Sequence, residues 1–259
     1  MAETGGFSRF WQRNCPIIGH VLIFALDTSS PAGSTAVLRD EKIIGIVSAW
    51  TGEIYSSRMF RQIDFLTNEL SISLNEIDLF AVAVGPGSFT GLRVGLTAIK
   101  GWAEVYRKPI AAVSALEAVA IQADSQARHI AAVLNARRGQ VYFALYQRES
   151  DGAALTVDGS ACVATPEEFL EIVGADFTRA NTRIVSPVPE LLDLALSRSE
   201  TKEWAKLHAE RVSPVLAPYV GRIALRKAQQ GELADPLTLD ANYVRRSDAE
   251  LHWKAPVGS

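Results

Sequence analysis

The spacing of apolar positions changes period several times along the chain, and each change marks an element. Residues 20–26 are almost continuously apolar and are predicted as a buried strand ending at Asp27-Thr28-Ser29-Ser30. Pro31-Ala32-Gly33 reads as a turn, 34–38 as a second strand, Arg39-Asp40-Glu41 as another turn and 42–50 as a third strand. Three strands joined by short turns predict an antiparallel meander. Met59, Ile63, Leu66 and Leu70 then recur at helical spacing, so 57–74 is predicted as an amphipathic helix. The run 79–84 reads as a strand, and the segment after it as a helix to about Arg107, stopped by Pro109 before a strand at 110–113. A second unit begins near Ser114: a helix at 115–124, then strands at 129–135 and 140–147 around the turn Ala136-Arg137-Arg138-Gly139. Thr165-Pro166-Glu167-Glu168 opens a short helix with a good N-terminus. A strand at 183–186, a long helix at 214–229 and a closing segment at 239–246 complete the pattern.

The most distinctive stretch is Gly85-Pro86-Gly87-Ser88-Phe89-Thr90-Gly91-Leu92-Arg93-Val94-Gly95, at a strand-to-helix corner. Glycines there allow a tight turn and close approach to another group, Ser88 or Thr90 can cap the helix, and free N–H groups could hold an anion. The spacing G-x-G-x-x-x-G misses the dinucleotide fingerprint by one residue, and no Lys-Ser/Thr follows Gly91 to make a phosphate-binding P-loop. Each interior glycine costs a helix about 1 kcal/mol relative to alanine. The stripe Gly91, Gly95, Ala98 therefore calls for a closely packed neighbour, either the chain's own sheet or another subunit.

Composition narrows the class. The 259 residues are 48% hydrophobic, enough to bury a full core, and no apolar run is long enough to span a membrane. A net charge of −3 argues against a stand-alone nucleic-acid binder. The arginine pairs Arg137-Arg138 and Arg245-Arg246 read by themselves as solvated faces. Two cysteines, Cys15 and Cys162, without Cys-x-x-Cys imply free thiols and a reducing, cytoplasmic setting. Residues 1–19 read as a flexible extension, 20–113 as an N-terminal lobe, 114–246 as a second lobe whose 214–229 helix is free to pack back on the first, and 247–259 as a tail.

Asp27, Thr28 and Ser29, at the end of the first strand, form a candidate site for a metal-bound nucleotide, since a carboxylate suits Mg²⁺ and hydroxyls suit phosphate oxygens. An Asx-type turn cap explains the same residues equally well. The histidines His20, His129, His208 and His252 show no ligand spacing, so no metal site is assigned and a metallopeptidase has no pair to use. The absence of G-x-S-x-G removes the α/β-hydrolase nucleophile elbow.

At Leu26-Asp27-Thr28-Ser29, at the glycine stretch 85–95, and at Asn135-Ala136-Arg137-Arg138-Gly139-Gln140-Val141-Tyr142, the chain resembles the TsaB (YeaZ) family, and Tyr243-Val244-Arg245 is similar to that family's closing motif. The resemblance runs from about residue 21 to 254. It implies an α/β, two-lobed actin-like/Hsp70-like ATPase fold with mixed sheets flanked by helices. It also implies an accessory role in adding threonylcarbamoyl to N6 of the adenosine next to the anticodon of tRNA. The chain would pair with a catalytic, metal-binding TsaD-type paralogue, joined by a P-loop TsaE-type ATPase, with a homodimer as a further form. It would meet tRNA through that complex and no membrane. The catalytic paralogue carries H-x-x-x-H on its first long helix; here the corresponding stretch is Tyr55-Ser56-Ser57-Arg58-Met59. No catalytic residue is therefore assigned.

The resemblance further implies a partner face on the first two helices, with Met59, Ile63 and Leu66 on one and Gly91, Gly95 and Ala98 on the other. Gly95→Leu is expected to weaken association while leaving the lobe folded. The family often has acidic residues where Asn135 and Gln140 stand, so ATP or ADP binding is expected to be weak. The alternative is an ATP-dependent small-molecule kinase of the same fold.

Overall fold

The computed structural model describes residues 20–50, 55–124, 126–149, 155–176, 182–198 and 209–244. The expectations for 1–19, for 247–259, and for Cys15, His208, Arg245, Arg246 and His252 lie outside these residues. The chain divides into two units: Met1–Gln122 with Val212–Ala241, and Ala123–Arg211 with Asn242–Ser259. The first unit thus runs one helix beyond the 113/114 boundary expected from the pattern and takes back the last helix.

In the first unit, β1 (Leu22–Asp27), β2 (Ser34–Arg39) and β3 (Lys42–Ser48) form the antiparallel meander. After α1 (Tyr55–Leu70), β4 (Leu79–Ala83) pairs parallel to β1; after α2 (Phe89–Tyr106), β5 (Ile110–Val113) pairs parallel to β4. The sheet order is β3-β2-β1-β4-β5. Helix α1 ends four residues before the expected limit because Ser71 takes a left-handed φ of 52°. The short α3 (Ala115–Ala120) follows.

Successive residues of a strand point to opposite faces, which separates the layers. Val37 lies opposite Gly45 in the β2–β3 register, and a Cβ at Gly45 would meet Leu66 and Leu70, so that face is covered by α1. Leu38 points the other way, against Gly221 of α6 (Ala217–Gln229), which packs on β1, β2 and β4. Buried central strands explain the continuous apolar runs of β1 and β4. Phe24, Phe80 and Trp102 meet at 5.7–6.2 Å between ring centroids, inside this core.

In the second unit, β6 (His129–Arg137), β7 (Gln140–Arg148) and β8 (Leu155–Ala164) form a meander, α4 (Pro166–Asp176) leads to β9 (Thr182–Ser186), and α5 (Glu190–Arg198) leads to β10 (Ala209–Arg211). The order is β10-β9-β6-β7-β8, with β9 parallel to β6 and β10 parallel to β9. Phe143 and Phe169, 5.1 Å apart, centre its core with Val133, Val173, Ile184 and Leu192. Counted from its own first strand, this is the strand order of the first unit, helices included. The fold is thus a duplicated α/β unit, each copy a mixed sheet flanked by helices.

The chain leaves the first unit at Gln122 and re-enters it at Val212. The Gln122 side chain joins these places: its Oε1 accepts from Ser213 N at 2.8 Å, and its Nε2 donates to Ser213 O at 3.3 Å and to Ala118 O at 2.9 Å.

Candidate functional site

Two regions of the first unit carry the residues singled out from sequence: the β1–β2 turn with the glycine corner, and the outer surface of α1 and α2.

Asp27 ends β1 fully buried. Its Oδ1 accepts from both Ser29 N (2.9 Å) and Ser29 Oγ (2.6 Å), an Asx-type turn. Burial pushes the Asp27 carboxyl up from the ordinary carboxylate range, with the two Ser29 bonds pulling the other way. The glycine corner lies on this turn. Ser88 N donates to Ser29 O at 2.7 Å, and Ser88 Oγ accepts from Gly91 N at 3.3 Å as the helix cap. A Cβ on Gly87 would fall 2.4 Å from Ser29 O, on Gly91 2.1 Å from Thr28 O, and on Gly95 2.4 Å from Thr28 Oγ1. The neighbour these glycines require is therefore the chain's own β1–β2 turn. Gly95→Leu would break this packing first, which corrects the expectation of a folded lobe.

The turn residues do not fit a magnesium nucleotide. The Ser88 amide that could hold an anion is used by Ser29 O, and Gly91 N by its cap. Ser34 Oγ, directly across from Asp27, accepts from Ala217 N at 3.0 Å and so caps α6. Asp27 Oδ2, Thr28 Oγ1 and Thr35 Oγ1 lack hydrogen-bond partners among the described residues, but each belongs to a residue closed to solvent. Among the described residues no group of three or more His, Cys, Asp and Glu is placed to hold a metal. The cap role of Ser34 was invisible in the sequence because its partner lies 183 positions away.

The second region corrects the expected partner face. Met59, Ile63 and Leu66 are buried beneath α1, and Gly91 and Gly95 face Thr28. Helical spacing found the inner stripe, which every amphipathic helix of a globular unit has. The outer face of α1 instead exposes Phe60 (57%) and Phe65 (58%) among Arg61, Asp64, Asn68 and Glu69. Phe60 meets Trp102 of α2 edge-on at 6.3 Å. At 100° per residue, Val94, Ala98, Gly101 and Val105 form one stripe on the outer side of α2. Ala98 is half-buried, Val105 is 73% exposed, and Gly101 has open space where a Cβ would be. Only Ala98 of the six expected residues belongs to this outward surface. Arg58 turns inward, its Nη2 donating to Pro31 O at 2.5 Å.

Residues 35–178, more than half of the chain, match the profile of the family described as "TsaD: tRNA N6-adenosine threonylcarbamoyltransferase". The chain is similar to the "tRNA threonylcarbamoyladenosine biosynthesis protein TsaB" of Bacillus subtilis (strain 168), 28% identical over 242 residues that cover 89% of this chain and 97% of that protein. The protein of the same name from Haemophilus influenzae is 35% identical over 133 residues, 50% of this chain and 56% of that relative. Among solved structures, "YeaZ from Pseudomonas aeruginosa" aligns with a TM-score of 0.68 over 86% of this chain and 99% of that one, at 24% identity, a likeness of fold. No helix among the described residues is long and apolar enough to cross a membrane.

Proposed function

The chain belongs to the family of the tRNA N6-adenosine threonylcarbamoyltransferase profile, on its TsaB (YeaZ) branch, and on that premise we propose that it is a non-catalytic subunit in the biosynthesis of threonylcarbamoyladenosine in tRNA. It pairs with a catalytic TsaD-type subunit, and a TsaE-type P-loop ATPase joins the pair in the cytoplasm.

One observation carries the pairing: the exposed Phe60, Gly101 and Val105 beside the half-buried Trp102, Val94 and Ala98, with the exposed Phe65 on the far flank of α1. Exposed phenylalanines on one helix beside an apolar stripe on the next are what a helix-on-helix interface buries. Gly101, whose missing side chain relieves no clash within its own unit, lets a partner helix approach the α2 backbone. The lack of a catalytic role is supported by the residues themselves. The start of α1 reads Tyr55-Ser56-Ser57-Arg58-Met59, with no H-x-x-x-H, and the β1–β2 turn uses the Ser29 amide and the Ser29 and Ser34 hydroxyls internally.

The chain would then act by burying this surface against the catalytic subunit and fixing that subunit's working conformation. The test is co-purification with the TsaD-type protein of the same genome, followed by light scattering. The wild-type chain should give a stable heterodimer. Phe60→Asp with Phe65→Asp should weaken it at least 100-fold, because two buried aromatic anchors each contribute on the order of 2 kcal/mol or more. Threonylcarbamoyl transfer by the pure chain, or unchanged pairing of the double variant, would refute the reading.

A further inference from the structure

The apolar surface between α1 and α2 ends beside the place where the chain enters the first unit. Phe60 is 57% exposed, Trp102 next to it is half-buried, and Ala98 and Val105 continue the surface along α2. Asp64, one turn on from Phe60, shares its flank of α1 and is exposed. Val105 comes three residues before Lys108, whose Nζ stands 3.7 Å from Asp78 Oδ1. Asp78 Oδ2 accepts at 2.9 Å from the amide of Leu22, the first residue of β1. The chain ahead of Leu22 therefore leaves the unit beside the C-terminal end of α2, at one end of this surface.

Residues 1–19 lie outside the described residues, but their sequence is not that of a solvated tail. Segments that stay in water are poor in aromatics, yet Phe7, Phe10 and Trp11 stand close together here, with Arg9 and Arg13 among and after them. The spacing i, i+3, i+4 is that of the anchors an amphipathic helix lays into an apolar groove. The reach suffices. From Trp11 to His20 the chain spans up to roughly 30 Å, whereas Val94 to Val105 covers about 16 Å of α2. Charge agrees, since the two arginines are offered to a groove with the exposed Asp64 on its wall.

We infer that the segment 7–13 docks on the α1/α2 surface of its own chain and competes there with the partner subunit. This rests on the pairing reading above and adds a regulator to it. A short tether holds such a segment at a local concentration in the millimolar range. An affinity of only about 0.1 mM then covers the face about nine-tenths of the time, and the partner binds the remaining fraction.

The test uses the full chain throughout. With Cys162→Ser, the native Cys15 is the one thiol left in the chain. A nitroxide placed on it should broaden the amide signals of residues 60–64 and 98–105 in the isolated protein. Phe10→Ser with Trp11→Ser should abolish that broadening and strengthen pairing with the TsaD-type subunit about tenfold, the fraction of free face being restored. An absence of broadening overturns the inference. So does broadening that fades on dilution, which marks a second copy as the occupant. Pairing that the double variant leaves unchanged denies the competition, and pairing that it weakens makes the segment part of the joint interface; either overturns the inference. If the Cys15 label reports the contact but the TsaD-type protein binds neither chain, the docking stands and the pairing reading beneath it falls.

Discussion

The same substitution, glycine to alanine, should have opposite effects at two places in α2. At Gly91 the new Cβ falls 2.1 Å from the carbonyl oxygen of Thr28. That oxygen belongs to the backbone of the buried Thr28, which cannot rotate aside as a side-chain end would. Over-packing of this kind costs about 3 kcal/mol or more, at the upper end of the usual range. The gain in helix propensity recovers about 1 kcal/mol at most. The net is a loss of about 2 kcal/mol, or roughly 4–8 °C in melting temperature for a chain of this size. At Gly101 a Cβ meets nothing and the residue is exposed. Gly101→Ala keeps the propensity gain and should raise stability by about 1 kcal/mol, roughly 2–4 °C. The assay is thermal and urea unfolding of the two variants and wild type side by side, on the isolated chain. Equal shifts of the same sign would show that the glycines serve helix flexibility rather than close approach, and would refute the docking of the glycine corner on the β1–β2 turn.

Two further outcomes follow from the buried carboxyl and the α4 cap. The folded Asp27 carboxyl titrates above its unfolded value near 3.8 because burial disfavours the charged form. The native state therefore holds the proton longer, and the contribution present below that value is lost as pH rises through the folded pKa. Asp27→Asn keeps an acceptor for Ser29 and removes this loss, so its urea midpoint should gain on wild type as pH rises above the unfolded value near 3.8, until the folded carboxyl is ionised; a gap independent of pH would refute the assignment. Thr165 Oγ1 accepts from Glu168 N (3.3 Å) while Glu168 Oε2 accepts from Thr165 N (2.8 Å), a complete capping box. Thr165→Ala should cost about 1 kcal/mol, and an unchanged unfolding midpoint would show that α4 does not depend on its cap.

The sequence disclosed what local pattern controls. The first meander, the strand at Ile110–Val113, the β6–β7 hairpin and the α4 start at Thr165 were all legible because period and turn chemistry are written in adjacent residues. The element missed in the second unit, β8, is an edge strand with mostly exposed side chains and a single buried residue, Ala164, so no apolar alternation marked it. The α5 helix and the three-residue β10 were missed too, and without them the duplication could not be seen. The family resemblance pointed to α1 and α2, but the residues it named on α1 and at Gly91 and Gly95 pack inside their own unit. Met59, Ile63 and Leu66 satisfy helical periodicity because they are core, whereas Phe60 and Phe65 break it. An aromatic residue off the apolar stripe was the available signal. Asp27 was ambiguous between ligand and turn cap because both roles use the same short carboxylate, and only its partner Ser29 and its full burial decide for the cap.

The bond between Gln122 and Ser213 makes Ala123–Arg211 a loop whose two ends are held side by side. A segment with adjacent ends can be gained, lost or exchanged in evolution without cutting the host's sheet, because β5, α3 and α6 stay in place. The first unit can thus be built as a separate protein by joining Gln122 to Ser213 through a short glycine linker, with α6 still covering β1, β2 and β4.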